Sequence, residues 1–553
     1  MNRRRKWISL VCMGLASVAI MAACSGNEGQ KETSSPVPSA SPSSGPSSSN
    51  EEIGVKPVTF SFYGHYDWLT TAPWGDNEAT RWIQENLKVT VEPVQSGGAA
   101  EEKLNTMIVG NDLPDVIFTD RGATVERLAK AGKLVALDDY YEKYPNFKKY
   151  VKESTLNLLR SEDGKIYQIP NWYTSGTFGN GGWMVNKEIY NELGRPALET
   201  FDDLYAYLIQ VREKYPNVVP LEVGEKGAGL EVMYGGFKED ATSKWISLMG
   251  YPDGNRLVSI YEDSAFEELM LYVSKLFRER LITQDALQQT QDAVKEKVNT
   301  GRVAVMIESN ITTYGAEGHR ALTASDPDAG YEVIWPIRKA GLSKDKVFVS
   351  GFESLGWNVN VITTEAKDPE AIFAYYDWIT GTEGQKVLFF GPRGLYWDEE
   401  AEDGSPIPNE TYKTVDVSER TEKMRKFEDF NWAGNTTFID TAKMNLEAAL
   451  SESQRSWETI AQSTVTWATA KDITEFVNTE PLPDSEIGVI SQNVYDIYTV
   501  AFAKMVHAKT DDEVKAVMEQ AKNDSERAGL ARLLEFRTER WQANVEKINR
   551  GHE

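Results

Sequence analysis

The sequence predicts a mixed α/β body, large enough for two lobes and ending in a mostly helical region, and three observations lead there. Its 553 residues are 41% hydrophobic and 26% charged, enough apolar material to bury a large core. From residue 58 onward short β-type runs alternate with amphipathic stretches. That alternation favours a parallel sheet covered by helices, with ligands outside the carboxyl ends of its strands. No internal repeat of roughly 20–50 residues is visible, which removes solenoids and propellers.

Taken in order, the chain opens with Arg3, Arg4, Arg5 and Lys6 ahead of an apolar run from Trp7 to Ala23. A basic segment before an apolar run too short for a comfortable membrane span reads as a secretory signal over residues 1–23. The run ends Met21-Ala22-Ala23-Cys24-Ser25-Gly26, which resembles the lipobox of bacterial lipoproteins with Met21 in place of the usual leucine. The resemblance implies cleavage before Cys24 and lipidation of its thiol; the other reading is a leader cut at a small-residue site that leaves a free thiol. From Ser34 to Ser49, thirteen of sixteen residues are Ser or Pro, so residues 24–57 read as a tether with nothing to bury. As a flexible coil it spans on the order of 30 Å, enough to hold a body clear of lipid headgroups on the outer face of the cell membrane.

The body begins with the strand Val58-Thr59-Phe60-Ser61-Phe62-Tyr63, then a helix over 77–86 and the strand Val89-Thr90-Val91. A helix over 101–109 carries Leu104 and Ile108 on one face, with Gly110 as its stop. Leu113 to Phe118 is a buried β-type run and residues 125–131 a helix. Glycines at 176, 179, 181 and 182 lack the Lys-Ser/Thr of a phosphate loop, so this stretch reads as a crossing strand or hinge. Thr200-Phe201-Asp202-Asp203 caps a helix whose apolar face carries Leu204, Leu208 and Val211, and residues 510–513 open another in the same way.

Charge and rare residues exclude several functions. The 84 acidic against 59 basic side chains leave −25, a balance that repels a phosphate backbone. Cys12 and Cys24 both lie in the leader region, which leaves no disulfide scaffold and no cysteine-held metal in the body. The four histidines, His65, His319, His507 and His552, share no helical spacing suited to zinc. Neither a metal nor a cofactor is expected.

Five stretches together resemble the family 1 extracellular solute-binding proteins of ATP-driven carbohydrate importers, in the long lipoprotein branch of Gram-positive bacteria. They are Lys103 to Ile108 with Leu113-Pro114-Asp115-Val116-Ile117; Asp163-Gly164-Lys165-Ile166-Tyr167-Gln168-Ile169-Pro170; Met184-Val185-Asn186-Lys187-Glu188; Thr300-Gly301-Arg302-Val303-Ala304-Val305-Met306; and Gly391-Pro392-Arg393-Gly394-Leu395-Tyr396-Trp397. The resemblance implies a periplasmic-binding-protein-like (type II) fold whose two lobes are joined by hinge crossovers and close on ligand. Residues 58–172 plus about 355–410 form the first lobe, and 173–354 plus about 411–553 the second. It implies no catalytic residue and no enzymatic activity, an oligosaccharide ligand, membrane permease subunits as partners and a monomer. Some members carry a calcium loop after a helix like the one starting at Thr200; residues 215–222 here lack its Asp/Asn pattern.

Sugars need aromatic platforms for their CH faces and planar polar groups for their hydroxyls. Strand ends and crossovers nominate Trp68, Asp120, Arg121, Trp172, Tyr173, Glu308, Asn310 and Trp357, and the glycine-rich motif that carries the resemblance adds Arg393 and Trp397. Each has a plainer reading: core packing for the aromatics, a helix cap or surface ion pair for Asp120 and Arg121, a structural salt bridge for Arg393. Arg393 in the cleft would suit a uronic-acid sugar, because guanidinium grips carboxylate with paired hydrogen bonds. Two other functions fit the composition. One is the same fold binding a peptide or polyamine; the other is a surface glycoside hydrolase, for which abundant carboxylates prove nothing.

Overall fold

The computed structural model describes residues 52–174, 178–451 and 454–550. The secretory signal, Cys24, most of the tether and Gly176 lie outside the described residues. Residues from Asn50 onward make one compact unit.

The architecture rests on two sheets. In the first the strand order is Val89–Val94, Val58–Gly64, Val116–Asp120, Asn358–Ile362 and Gln168–Pro170. The first three run parallel as their alternation with helices requires, while Asn358–Ile362 runs antiparallel to both neighbours. In the second the order is Tyr331–Ile334, Gly182–Asn186, Val303–Glu308 and Val219–Glu222. There Gly182–Asn186 is the strand that opposes its neighbours. Both sheets therefore depart from the all-parallel expectation for one reason. Gly182–Asn186 and Asn358–Ile362 each enter directly from the other sheet, so each starts at the edge where the parallel strands end. Gly182 lies opposite Glu308 and Asn358 opposite Asp120, which puts the carboxyl ends of both sheets beside the crossing segments.

Helix boundaries follow the capping chemistry. The Thr200 hydroxyl accepts from the Asp203 amide while the Asp203 carboxylate accepts from the Thr200 amide, so the helix Phe201–Lys214 starts where the capping box places it. The helix Ala100–Gly110 runs through the expected glycine stop. Asn111 takes the left-handed turn instead, at φ 52, which asparagine tolerates better than most residues.

Each sheet carries its own core. Phe62 stacks on Trp432 at 3.6 Å in the first core, where Phe147, Phe373, Tyr375 and Tyr376 are also buried. Trp183, Trp245, Phe266 and the stacked pair Phe201 and Phe237, 4.1 Å apart, fill the second. The stretch expected to lie wholly in lobe two is divided between them: residues from Tyr412 to Leu450 pack into the first core, and those from Ile473 to Trp541 into the second, apart from Val477, which packs into the first. The helix Leu530–Arg550 reaches both, with Leu533 in the second core and Ile548 against the first. Among the described residues no helix is long and apolar enough to cross a membrane.

Candidate ligand-binding cleft

Where the carboxyl ends of the two sheets meet the crossing segments, a cavity of about 540 Å³ opens. Trp172 and Thr174 of the outward crossing and Phe352, Glu353, Gly356 and Trp357 of the return crossing line it, with Glu231, Lys244 and Ser309 from the second sheet's side. Thr436 closes the opposite wall, at the start of the helix Thr436–Ala448.

Beside this cavity lies an aromatic patch that water does not explain. Trp68 is 66% exposed and Trp357 52%, although indoles are normally mostly buried. Their rings lie 6.3 Å apart, and Tyr66 sits 5.3 Å from Trp68 and 5.6 Å from Trp357. The Tyr66 hydroxyl donates to Asp120 at 2.9 Å, so the last residue of the strand Val116–Asp120 fixes the edge of the platform. Exposed, pre-positioned rings of this kind offer faces to a sugar at little ordering cost.

Polar groups tie the platform to the hinge. Arg121 donates to the carbonyls of Leu355, at 3.1 Å, and Gly356, and it pairs with Glu353. Lys244 meets the other oxygen of Glu353 at 2.6 Å, so one carboxylate is held from both sides of the cleft. Further along, Lys443 donates to Gln462 at 2.9 Å, and Gln462 donates to Asn180 at 3.0 Å.

Of the residues nominated from sequence, Trp68, Asp120, Arg121, Trp172 and Trp357 come together here. Trp172 packs 5.7 Å from Phe389 and keeps a face on the cavity. Glu308 is buried behind Ser309, and lost hydration pushes its carboxyl up to about 7. Asn310 is exposed at the start of the helix Ile311–Thr323, where its side chain accepts from the Thr313 hydroxyl at 3.2 Å.

Three nominated residues stand elsewhere. Tyr173 is buried in the first core with its hydroxyl 2.9 Å from that of Tyr141, and its backbone is bridged to Asn435 beside that core. Trp397 is 3% exposed and donates to the Gly391 carbonyl at 2.8 Å, which makes it the wedge of a turn in the first core. Arg393 is exposed on the same turn and donates to the Asp398 carbonyl at 2.8 Å. Glu231, Lys244, Glu353 and Thr436 were missed by sequence reasoning. Glu353 carried a faint signal, standing between the strand Ser350–Phe352 and the return crossing, whereas Glu231 lies within an ordinary helix.

A second cavity, of about 580 Å³, lies on the other side of the crossing segments among Tyr150, Thr155, Tyr173, Asp472 and Thr474. It has no tryptophan in its lining, so the first is the better candidate despite its slightly smaller volume. Among the described residues no group of three or more His, Cys, Asp or Glu side chains could hold a metal ion.

The family model described as bacterial extracellular solute-binding protein matches residues 74–386, more than half of the chain. The chain belongs to that family. No curated protein matches this solute-binding protein. Among solved structures it is similar to an extracellular solute-binding protein from Bifidobacterium longum subsp. infantis, at 14% identity and a TM-score of 0.65 over 88% of this chain and 98% of that one. The substrate-binding protein FusA of the S. pneumoniae ABC transporter, solved with kestose, is 16% identical with a TM-score of 0.64, over 88% and 99% of the two chains. The alginate-binding protein AlgQ2, solved without calcium ion, is 16% identical with a TM-score of 0.63, over 88% and 98%. At these identities the likeness establishes the two-lobed α/β fold.

Proposed function

We propose that this solute-binding protein captures an oligosaccharide between its two lobes and presents the closed, loaded form to the permease subunits of an ABC importer, without chemical change to the cargo. The observation that carries this reading is the pair of exposed indoles, Trp68 and Trp357, beside a cavity bounded by both lobes. Rings that stay wet in the free protein gain most when a sugar's CH face covers them and closure expels the remaining water. Kestose and alginate in the names of two similar structures support a carbohydrate cargo. Met21-Ala22-Ala23-Cys24 and the Ser/Pro tether support anchoring by lipid at the outer face of the membrane.

A thermal-shift panel of oligosaccharides, short peptides and polyamines against residues 50–553 tests the reading. A sugar at about 100 times its dissociation constant adds roughly 2.7 kcal/mol to stability. Trp357→Ala is expected to weaken that sugar at least about tenfold, as loss of a stacking platform does. Silence from every sugar alongside a response to peptides or polyamines would move the cargo to another class, and release of shorter sugars would restore the hydrolase reading.

A further inference from the structure

Trp357 sits in a segment whose position is set by separate ties and not by strand pairing. Residues 353–357 join the strands Ser350–Phe352 and Asn358–Ile362. On the side of the second cavity the Ser354 amide donates to the Thr474 hydroxyl at 2.7 Å, and the Ser354 carbonyl accepts from the Thr174 amide at 3.0 Å. Leu355 is buried in the first core. On the cleft side the tie is Arg121, which donates to the carbonyls of Leu355 and Gly356, the two residues before Trp357.

Arg121 needs a counter-charge to hold that position. Its side chain is 8% exposed, and a guanidinium taken out of water is costly without a carboxylate. Glu353, with a side chain 11% exposed, supplies one oxygen to Arg121 and gives the other to Lys244 at 2.6 Å. Lys244 belongs to the second lobe. It precedes the helix Trp245–Leu248, whose Trp245 is fixed in the second core. A line of charge-assisted contacts therefore runs from that core through Lys244, Glu353 and Arg121 to the backbone that carries Trp357.

Other polar contacts between the lobes are looser. Exposed Arg425 lies 3.8 Å from Glu317, a carboxylate that Lys295 of the second lobe also holds at 3.2 Å. Lys443 meets the neutral amide of Gln462. Attraction rises as distance and exposure fall, so the close pair on a mostly buried carboxylate dominates.

We propose that Glu353 is a positioning residue through which the second lobe sets the Trp357 platform. The use of that platform for stacking rests on the sugar-capture reading above. Lys244 lines the cavity and its side chain is 32% exposed, so a sugar that reaches the second lobe meets the cation that holds Glu353. Contact on one lobe then alters how firmly an indole is held at the edge of the other, and closure and stacking become coupled.

Fluorine NMR of fluorotryptophan-labelled residues 50–553, free of sugar, is the test, with the Trp357 signal assigned by its loss in Trp357→Phe. In Lys244→Met, which leaves Arg121 paired with Glu353, the Trp357 signal is expected to move, and amide exchange across residues 353–357 to quicken at least about threefold. Lys244→Arg keeps the charge and should restore both, while the signal of Trp541, in the second core, should stay fixed in either variant. On a Glu353→Gln background Lys244→Met should add no further movement of the Trp357 signal, because the relay is already cut. A full second displacement there would show that Lys244 acts on the indole directly, and it would overturn the proposal. So would a Trp357 signal and exchange rate unchanged in Lys244→Met, a result that needs no folded Glu353→Gln. Each measurement is made without sugar, so such a failure leaves sugar capture standing, whereas silence from every sugar in the panel overturns capture with the relay intact.

Discussion

At the scale of single residues, Glu308 gives the cleanest pH signature. Burial pushes its carboxyl up to about 7 in the folded protein, against an ordinary 4.5, with the Ser309 hydroxyl on one oxygen and Glu231 and Tyr314 within electrostatic reach. The native state therefore holds the proton more tightly than the unfolded chain, so this residue's contribution to stability falls as pH rises from about 4.5 to about 7 and is flat above. Glu308→Gln removes that loss. The variant should match the parent below pH 4.5 and exceed it by up to about 3 kcal/mol above pH 7, read from denaturant midpoints at the two ends. A constant difference across that range would show that Glu308 keeps its ordinary value. Trp397→Ala makes the opposite kind of prediction. Its buried indole should cost about 3–5 kcal/mol of stability while the folded fraction binds sugar with unchanged affinity.

At the scale of elements, the two crossings are packed on each other. Gly356 sits at φ 64, and a side-chain carbon there would lie 2.0 Å from the Asn171 oxygen and 3.0 Å from the Trp172 amide. Gly356→Ala should therefore lower the denaturation midpoint and also weaken sugar binding, because the Gly356 carbonyl is one of the groups that Arg121 grips beside Trp357. Unchanged affinity in that variant would mean that the return crossing does not set the platform. Much of this was legible beforehand. The capping box at Thr200, the crossing nature of the glycine-rich stretch and the strand-end position of Trp68, Asp120 and Trp357 all follow from local chemistry. Trp397 and Tyr173 were not legible as core residues, since a tryptophan in a glycine-rich turn reads the same whether it faces a ligand or a wall. Glu231 was invisible because a helix face gains its meaning only from what folds opposite.

At the scale of the molecule, closure about the crossings is the expected response to ligand, and small-angle scattering with and without a saturating sugar should show a fall in the radius of gyration. An unchanged radius would mean that the free protein already rests closed. Lobe membership was the least legible property. The amphipathic helices over 417–448 carry no sequence mark of which core they join, and aromatic pairings such as Phe62 with Trp432 decide it.

The antiparallel strand Asn358–Ile362 has a consequence for how the chain is made. It lies between Val116–Asp120 and Gln168–Pro170, so both have an open backbone edge until residues far downstream arrive. During synthesis and export the first lobe is a sheet with a gap in it, a template for wrong pairing and a slow step governed by long-range contact. Residues 50–172 produced alone should accumulate as aggregate, and supplying 355–450 in trans should recover part of it as soluble complex. The strand order that joins the two sheets through crossing segments therefore also leaves the first sheet incomplete until the chain's middle has emerged.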